Sequence, residues 1–585
     1  MHYGDLVAVY AKLQQTTKRL AKTKIVAEVI SSTAAHELPK VILLLQGRVF
    51  PSYDERKIGV ASKLVMKAIA LAAGIAQPKV EQEWSKLGDL GSVAAQVIKG
   101  KKQHTLSARD LTVEKVFANI QKLATLSGSG SVDQKVRLVA ELLTAATPEE
   151  AKYIVRTVLE DLRVGVGEGA LRDGIVWAVF GDELQLQYDE KKGDIHPTDR
   201  KAYNEKVALV QRAYDLCNDF AEVAAVAKEQ GEEGLAKVTM AIGKPMKVML
   251  FQKVNSIMEA FAAVGRPAAF EYKYDGFRIV IHRDGDKVTL YTRRLEDITK
   301  QFPEVVQYVK KQINGSRFVL DAEAVGFNKS TGKYLPFQSI SQRIRRKYDI
   351  DKLAALMPVE VNVFDVLSYG GESYLGRSFV ERRKLLEQIV TPHAKKLVLA
   401  RQLVTDSERE AEEFYQEALR AGEEGVMAKN LEGIYKPGSR VGYGVKVKPV
   451  METLDLAIVA AEWGEGKRAG WLTSYLLACR DPDTGELLEV GRVSTGVKEL
   501  EESGVNYAQI TEILKEQIIS AQGKMVRVKP MLVIEVNYEE IQQSPTYSSG
   551  FALRFPRFVR LREDKDVSDI STIDQVERLY ATQER

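Results

Sequence analysis

Glu271-Tyr272-Lys273-Tyr274-Asp275-Gly276-Phe277-Arg278 decides how the rest of the chain is read. The aromatic run Ala268 to Tyr274 predicts a strand, Asp275-Gly276 a hairpin turn, and Phe277 to His282 the returning strand. A lysine at such a strand end has a fixed backbone and a partly enclosed amine. That setting lowers a lysine's pKa and makes it a nucleophile. Arg278, across the turn, is placed to hold an anion near that amine. The same string is also what an exposed hairpin lysine paired with Asp275 would give, so the downstream sequence must separate the two readings.

Downstream, strands alternate with turns and a few helices. Val288 to Arg294 reads as a strand ending in Arg293 and Arg294, and Phe302 to Gln312 as a short helix. Arg317 to Phe327 is an apolar strand in which Asp321 and Glu323, two apart, share a face. Paired carboxylates of this kind suit Mg²⁺; a salt-bridged strand edge is the plainer alternative. Phe364, in the strand Val359 to Val366, is available to stack on a flat ring or to join the core. Glu423 to Lys429 reads as a helix end turning into a strand. In Tyr443 to Pro449, Lys446 and Lys448 share one face opposite Val445 and Val447. On a buried face two such lysines need an anion between them.

Upstream, residues 1–240 read as helical, with Leu6, Val9, Tyr10 and Leu13 at helical spacing and Thr147-Pro148-Glu149-Glu150 as a capping-box start. Gly-rich loops at Ser127 to Ser131 and Leu162 to Gly169 each feed a helix; they suit a phosphate or a plain connector, and neither is a P-loop. Gly243 to Leu250 reads as a linker. After Pro449, closely spaced strands suggest a small β-barrel. Leu553 to Arg562 interleaves arginines with apolar and aromatic residues, a pattern suited to a nucleic-acid backbone. Ile573 to Leu579 reads as a terminal amphipathic helix.

At 585 residues the chain is too long for one core. The net charge of +4 is too small to imply nucleic-acid binding by itself, so any basic surface is local. Two distant cysteines, Cys217 and Cys479, argue against a disulfide framework and fit a reducing cytoplasm. Neither a bilayer-spanning apolar run nor a signal-peptide layout is present.

Lys273-Tyr274-Asp275-Gly276-Phe277-Arg278 resembles the adenylation signature of the nucleotidyltransferase superfamily. Further segments follow in that superfamily's order: Thr292 to Asp297, Leu320 to Val325, Val363-Phe364-Asp365, Glu424 to Lys429, Lys446-Val447-Lys448 and Arg562 to Lys565. Motifs in order are far more specific than any one alone. The whole chain resembles an ATP-dependent DNA ligase of the archaeal and eukaryotic replicative type. The resemblance implies an all-α DNA-binding domain (1–240), an α+β adenylation domain (241–449) and a C-terminal β-barrel, an OB-fold (450–585).

It also implies roles. Lys273 would attack the α-phosphate of ATP and carry AMP. Glu271 would recognise the adenine edge and Phe364 would stack on it. Arg278, Arg293 and Arg440 would hold ribose and phosphate. Glu323 and Glu424 would place Mg²⁺ and the ribose, while Lys446 and Lys448 would neutralise the α-phosphate. Asp564 and Lys565 would orient pyrophosphate. Nicked double-stranded DNA is the implied partner, met by a monomer at the nucleoid in replication, recombination and repair. A sliding-clamp contact is expected in Lys101 to Leu106, where Gln103 stands three before Leu106. The family often has tryptophan two before the first of the paired lysines; here Gly444 stands there, with Tyr443 expected to compensate. An RNA ligase or capping enzyme is the nearest rival, and a non-catalytic DNA-encircling protein the more distant one.

Overall fold

The computed structural model describes residues 1–583 except 55, 101–110, 336, 345, 347, 439, 450, 451, 466, 467, 469 and 500–504, together with the side chains of 85, 338, 440 and 441. Gln103 and Leu106, the expected clamp contact, lie outside the described residues, as does the Arg440 side chain.

The N-terminal region is helical because its apolar residues recur at helical spacing. Tyr3–Gln15 buries Tyr3, Leu6, Val7, Tyr10 and Leu13 along one stripe. Thr147 and Glu150 form the expected capping box on Pro148–Val158. Both Gly-rich loops feed helices, Ser131–Ala145 and Glu168–Phe180. One continuous core runs from Tyr3 to Leu235. A small hairpin, Gln187–Asp189 with Asp194–His196, breaks the helical run.

The middle region is built on two sheets. Its strands are β1 (Leu250–Val254), β2 (Ala268–Tyr272), β3 (Phe277–Asp284), β4 (Lys287–Thr292), β5 (Arg317–Phe327), β6 (Val359–Tyr369), β7 (Gln402–Thr405), β8 (Val426–Asn430) and β9 (Arg440–Val447). One sheet has the order β6-β5-β3-β4, the other β7-β2-β8-β9-β1. The predicted hairpin at Asp275-Gly276 is therefore corrected. Both strands form, but they belong to different sheets. Both edges of β2 are occupied, by β7 and β8, which leaves β3 no place beside it. The turn carries the chain from one sheet to the other. Gly276 permits the passage, since a Cβ there would sit 2.4 Å from the Ala324 carbonyl oxygen of β5.

The C-terminal region is sheet-rich. Leu487–Val493, Leu472–Arg480, Leu454–Trp463, Met525–Val528 and Ile518–Gln522 lie side by side in that order. Val533–Asn537 pairs with the other half of Leu454–Trp463 and carries Arg557–Leu561 on its far edge. Among the described residues this path does not close into a barrel. The Arg-rich run is two strands, Phe551–Arg554 and Arg557–Leu561, broken at Phe555-Pro556. Helix Ile573–Thr582 closes the chain. Both cysteines are free and buried. No helix among the described residues is long and apolar enough to cross a membrane.

Candidate active site

Sheet register assembles the site from residues far apart in sequence. In the second sheet Gln402, Glu271, Met427, Lys446 and Lys253 are successive cross-strand partners. Ala269, Lys429 and Gly444 form the next row. Partners opposite one another project to the same side, so Glu271, Lys429 and Lys446 share a face. Lys273 follows β2 directly. Its N–H donates to the Gly425 carbonyl at 2.8 Å and its carbonyl accepts from Glu424 N–H at 2.9 Å.

The first sheet supplies the opposing groups. Arg278 and Glu323 are cross-strand partners, and Asp321 is their diagonal neighbour. Along β5 and β6 the register runs Asp321–Asp365, then Ala322–Val363. Phe364 is the extra residue of a β-bulge, a device that re-aims a side chain beside active sites. Asp365 anchors the bulge through a buried ion pair with Arg382, Nε to Oδ1 at 2.7 Å. Arg382 also donates to the Gly433 carbonyl at 3.0 Å.

Charge is concentrated where the sheets meet. The ammonium groups of Lys273 and Lys448 both pair with the Glu424 carboxylate. Burial alone would raise Glu424, but the two lysines override it and hold the group down at about 2. Lys448 also reaches Glu539 of the C-terminal region at 3.1 Å. Lys446 is pushed below the usual lysine range by burial and by the charges of Lys273 and Lys448. Glu323 is pushed up to about 8 by burial. Its neighbour Asp321 is not a free carboxylate: it binds Arg278 through both oxygens and accepts from Tyr435 Oη at 2.7 Å. The expected Asp321–Glu323 pair is thus divided between an acid in an ion pair and one that forms none among the described residues, though the charges of Lys273 and Arg278 act on it. Arg278 is correspondingly fixed, donating also to the Met249 carbonyl at 2.8 Å, with its guanidinium 5.3 Å from the Phe364 ring centre.

Other expected residues lie at the margin. Arg293 is exposed, one residue past β4. Asp564 pairs with Arg562, and Lys565 with Asp455, so both expected pyrophosphate groups are engaged within the C-terminal region. Phe251 covers Gly444: its ring would lie 2.5 Å from a Cβ there. Between the middle and C-terminal regions is a cleft of about 370 Å³, lined by Asp275, Glu423, Glu424 and Lys448 on one wall and Glu539, Glu540 and Arg554 on the other. Among the described residues no three His, Cys, Asp or Glu side chains group as a metal cage. Glu323 and Glu424 are the two carboxylates of the expected set, the second already paired with two lysines.

Sequence reasoning passed over the groups that hold Glu271. Lys429 Nζ lies 2.5 Å from its Oε2, Gln402 Nε2 donates to its Oε1 at 3.0 Å, and Arg383 stands 3.7 Å away. Lys429 was legible: it alternates with Met427 on a strand beside the signature. Gln402 carried no local signal.

Three family models match the chain: the DNA ligase N terminus over residues 2–176, the ATP dependent DNA ligase domain over 248–448, and the ATP dependent DNA ligase C terminal region over 468–565. The DNA ligase of Nanoarchaeum equitans is 45% identical, covering 100% of this chain and 99% of its own length. That of Thermococcus onnurineus is 44% identical over the same shares. Among solved structures, Pmar-Lig_PreS3 is 16% identical, with a TM-score of 0.57, over 95% of this chain and 99% of that one.

Proposed function

This chain belongs to the ATP-dependent DNA ligase family, and from that premise we propose that Lys273 is the residue adenylylated in the first step. The chain seals nicks in DNA at the expense of ATP. The observation that carries the assignment of Lys273 is the convergence on one carboxylate, Glu424, of Lys273 from the end of β2 and Lys448 from the end of β9.

In the proposed sequence, Lys273 Nζ gives up a proton to solvent, leaves Glu424 and attacks the α-phosphorus of ATP as the neutral amine. The N–P bond forms as the bond to the bridging oxygen of pyrophosphate breaks. Lys446 and Lys448 offset the charge that builds on the phosphate oxygens. Glu271 accepts from the adenine amino group, and Phe364 offers its face to the ring. An oxygen of the nick's 5′-phosphate then takes the adenylyl group from Lys273. Finally the 3′-hydroxyl gives up its proton and attacks the phosphorus of the 5′-phosphate, and AMP leaves as the bond between the two phosphates breaks. Arg278 shapes the site through Asp321 and Phe364, while Arg293 and Arg440 are the proposed outer contacts.

Glu323 and Glu424 are the residues that would hold Mg²⁺. Burial pushes the half-buried Glu323 up to about 8 against the opposing charges of Lys273 and Arg278, and one or two carboxylates plus substrate phosphates are a normal Mg²⁺ donor set. When bound, Mg²⁺ withdraws charge from the phosphate oxygens.

The working division is 1–240 for DNA binding, 241–449 for adenylylation and 450–585 as an OB-fold acting on the nick. Phe555 supports the last assignment. It is 66% exposed, has a φ of +49° and stands between Arg554 and Arg557, as an apolar wedge flanked by phosphate-binding cations would. Monomeric action in replication, recombination and repair belongs to the same proposal. The test is a sealing assay on nicked duplexes that differ only in having DNA or RNA at the nick. Sealing of the DNA nick with ATP and Mg²⁺, lost in Lys273→Ala, is expected. Preference for the RNA nick would overturn the reading.

A further inference from the structure

We propose that Lys429 and Gln402 are specificity-determining residues that set the preference for adenine over guanine by locking Glu271 as a pure hydrogen-bond acceptor. The inference rests on Glu271 being the base reader. Glu271 is 2% exposed, yet it is a carboxylate on the face that carries Lys446. A buried carboxylate needs a paired cation and filled lone pairs.

Lys429, itself buried, supplies the cation at 2.5 Å from Oε2. Gln402, directly across the strand pair, donates Nε2–H to Oε1 at 3.0 Å. Arg383 is less available, because it donates to the Ala400 carbonyl and to Glu387, each at 3.0 Å. Lys429 is also steered by aromatic faces, 4.8 Å from the Phe364 ring centre and 4.5 Å from that of Phe379. The residue that reads the base and the ring that stacks on it therefore share one lysine.

The consequence is a fixed polarity. A carboxylate that protonates or rotates freely can offer either an O–H or a lone pair to a ring edge. Held by Lys429 and Gln402, Glu271 offers lone pairs only. Adenine presents its amino group there and is accepted. Guanine presents a carbonyl oxygen, so two acceptors meet. A site built to pair a donor rejects an analogue that lacks it far more strongly than a shape-based pocket does.

The test compares full-length wild type, Lys429→Met, Lys429→Arg, Gln402→Ala and Glu271→Ala. Each is given Mg²⁺ with ATP or GTP labelled on the α-phosphate, and initial rates of covalent labelling are measured across nucleotide concentration. Lys429→Met and Gln402→Ala are expected to raise KM for ATP more than they lower kcat. They are also expected to cut the ATP-to-GTP ratio of kcat/KM by about tenfold or more. Lys429→Arg, which keeps the charge, should retain most of the ratio. A wild-type ratio in both Lys429→Met and Gln402→Ala would overturn the proposal. Should Lys429→Met fail to fold, the half-buried, neutral Gln402→Ala decides alone. Glu271→Ala separates the two levels. An unchanged ratio there overturns the adenine-reading role of Glu271 itself. A lost ratio there, with the wild-type ratio kept in the other variants, overturns only the network.

Discussion

Lys273 and Gly276 act together at the residue scale. The lysine has to stand just past the end of β2 in one sheet while the chain, four residues later, enters the other. Gly276 makes this passage against the Ala324 carbonyl of β5, at a distance no Cβ tolerates. Gly276→Ala should therefore push the turn away from β5. A loss of about 1–3 kcal/mol in unfolding free energy, the usual cost of overpacking, is expected by chemical denaturation. Self-adenylylation should slow more than stability alone explains, since Lys273 moves with the turn. Wild-type rate and stability in this variant would mean that the passage is not tight. The pairing of Lys273 and Lys448 on Glu424 explains why so small a displacement matters. One carboxylate positions two ammonium groups that, in the proposed mechanism, both face the same phosphate.

At the scale of the element, the β-bulge of β6 decides where Phe364 points, and the Asp365–Arg382 pair decides whether the bulge holds. Both partners are almost fully buried, at 2% and 1% exposure. Arg382→Met should cost about 3–5 kcal/mol, because it strands the Asp365 charge in the core. Where the protein still folds, KM for ATP should rise with little change in kcat, the mark of a displaced stacking ring. Thermal melting with steady-state kinetics separates the two effects. The strands around this bulge were legible from composition and alternation: β5 has the predicted bounds, and the carboxylates, the aromatic and Lys446 fall on strands as read, while Lys448 lies one residue past the end of β9. The pairing of those strands was not legible. Asp275-Gly276 is a good hairpin dipeptide, and local chemistry cannot reveal that both edges of β2 are already taken by segments more than 120 residues away in the chain. The spacing of Asp321 and Glu323 likewise gave their shared face, but not that Arg278 and Tyr435 claim the first and leave the second. Gln402 could be seen only once β7 was laid against β2.

At the scale of the whole molecule, the helical and sheet-bearing regions are tied through the linker at Gly243. The Gly243 N–H donates to His282 Nδ1 at 3.0 Å, and its carbonyl accepts from Tyr291 Oη at 2.7 Å. His282 is 1% exposed, and its Nε2 is buried without a partner among the described residues. Burial lowers this imidazole to about 3, and protonation would set a second N–H against that of Gly243. The unfolded chain takes up the proton near the ordinary histidine value of about 6.5, whereas the folded chain does so only near 3. Between those values the unfolded state binds more protons, so stability falls as pH falls, by about 1.4 kcal/mol per pH unit from this group. The difference in unfolding free energy between wild type and His282→Gln should shrink with that slope from pH 6.5 downward; a pH-independent difference would remove His282 from the account. The central claim, that Lys273 carries the adenylyl group to a DNA nick, is tested most directly by labelling. The protein is incubated with Mg²⁺ and ATP labelled on the α-phosphate, beside Lys273→Ala, and the labelled peptide is identified before and after nicked DNA is added. The account predicts label on Lys273 alone, absent from the variant and discharged by the nick. Label on another residue, or label on Lys273 that the DNA nick leaves in place, would contradict it.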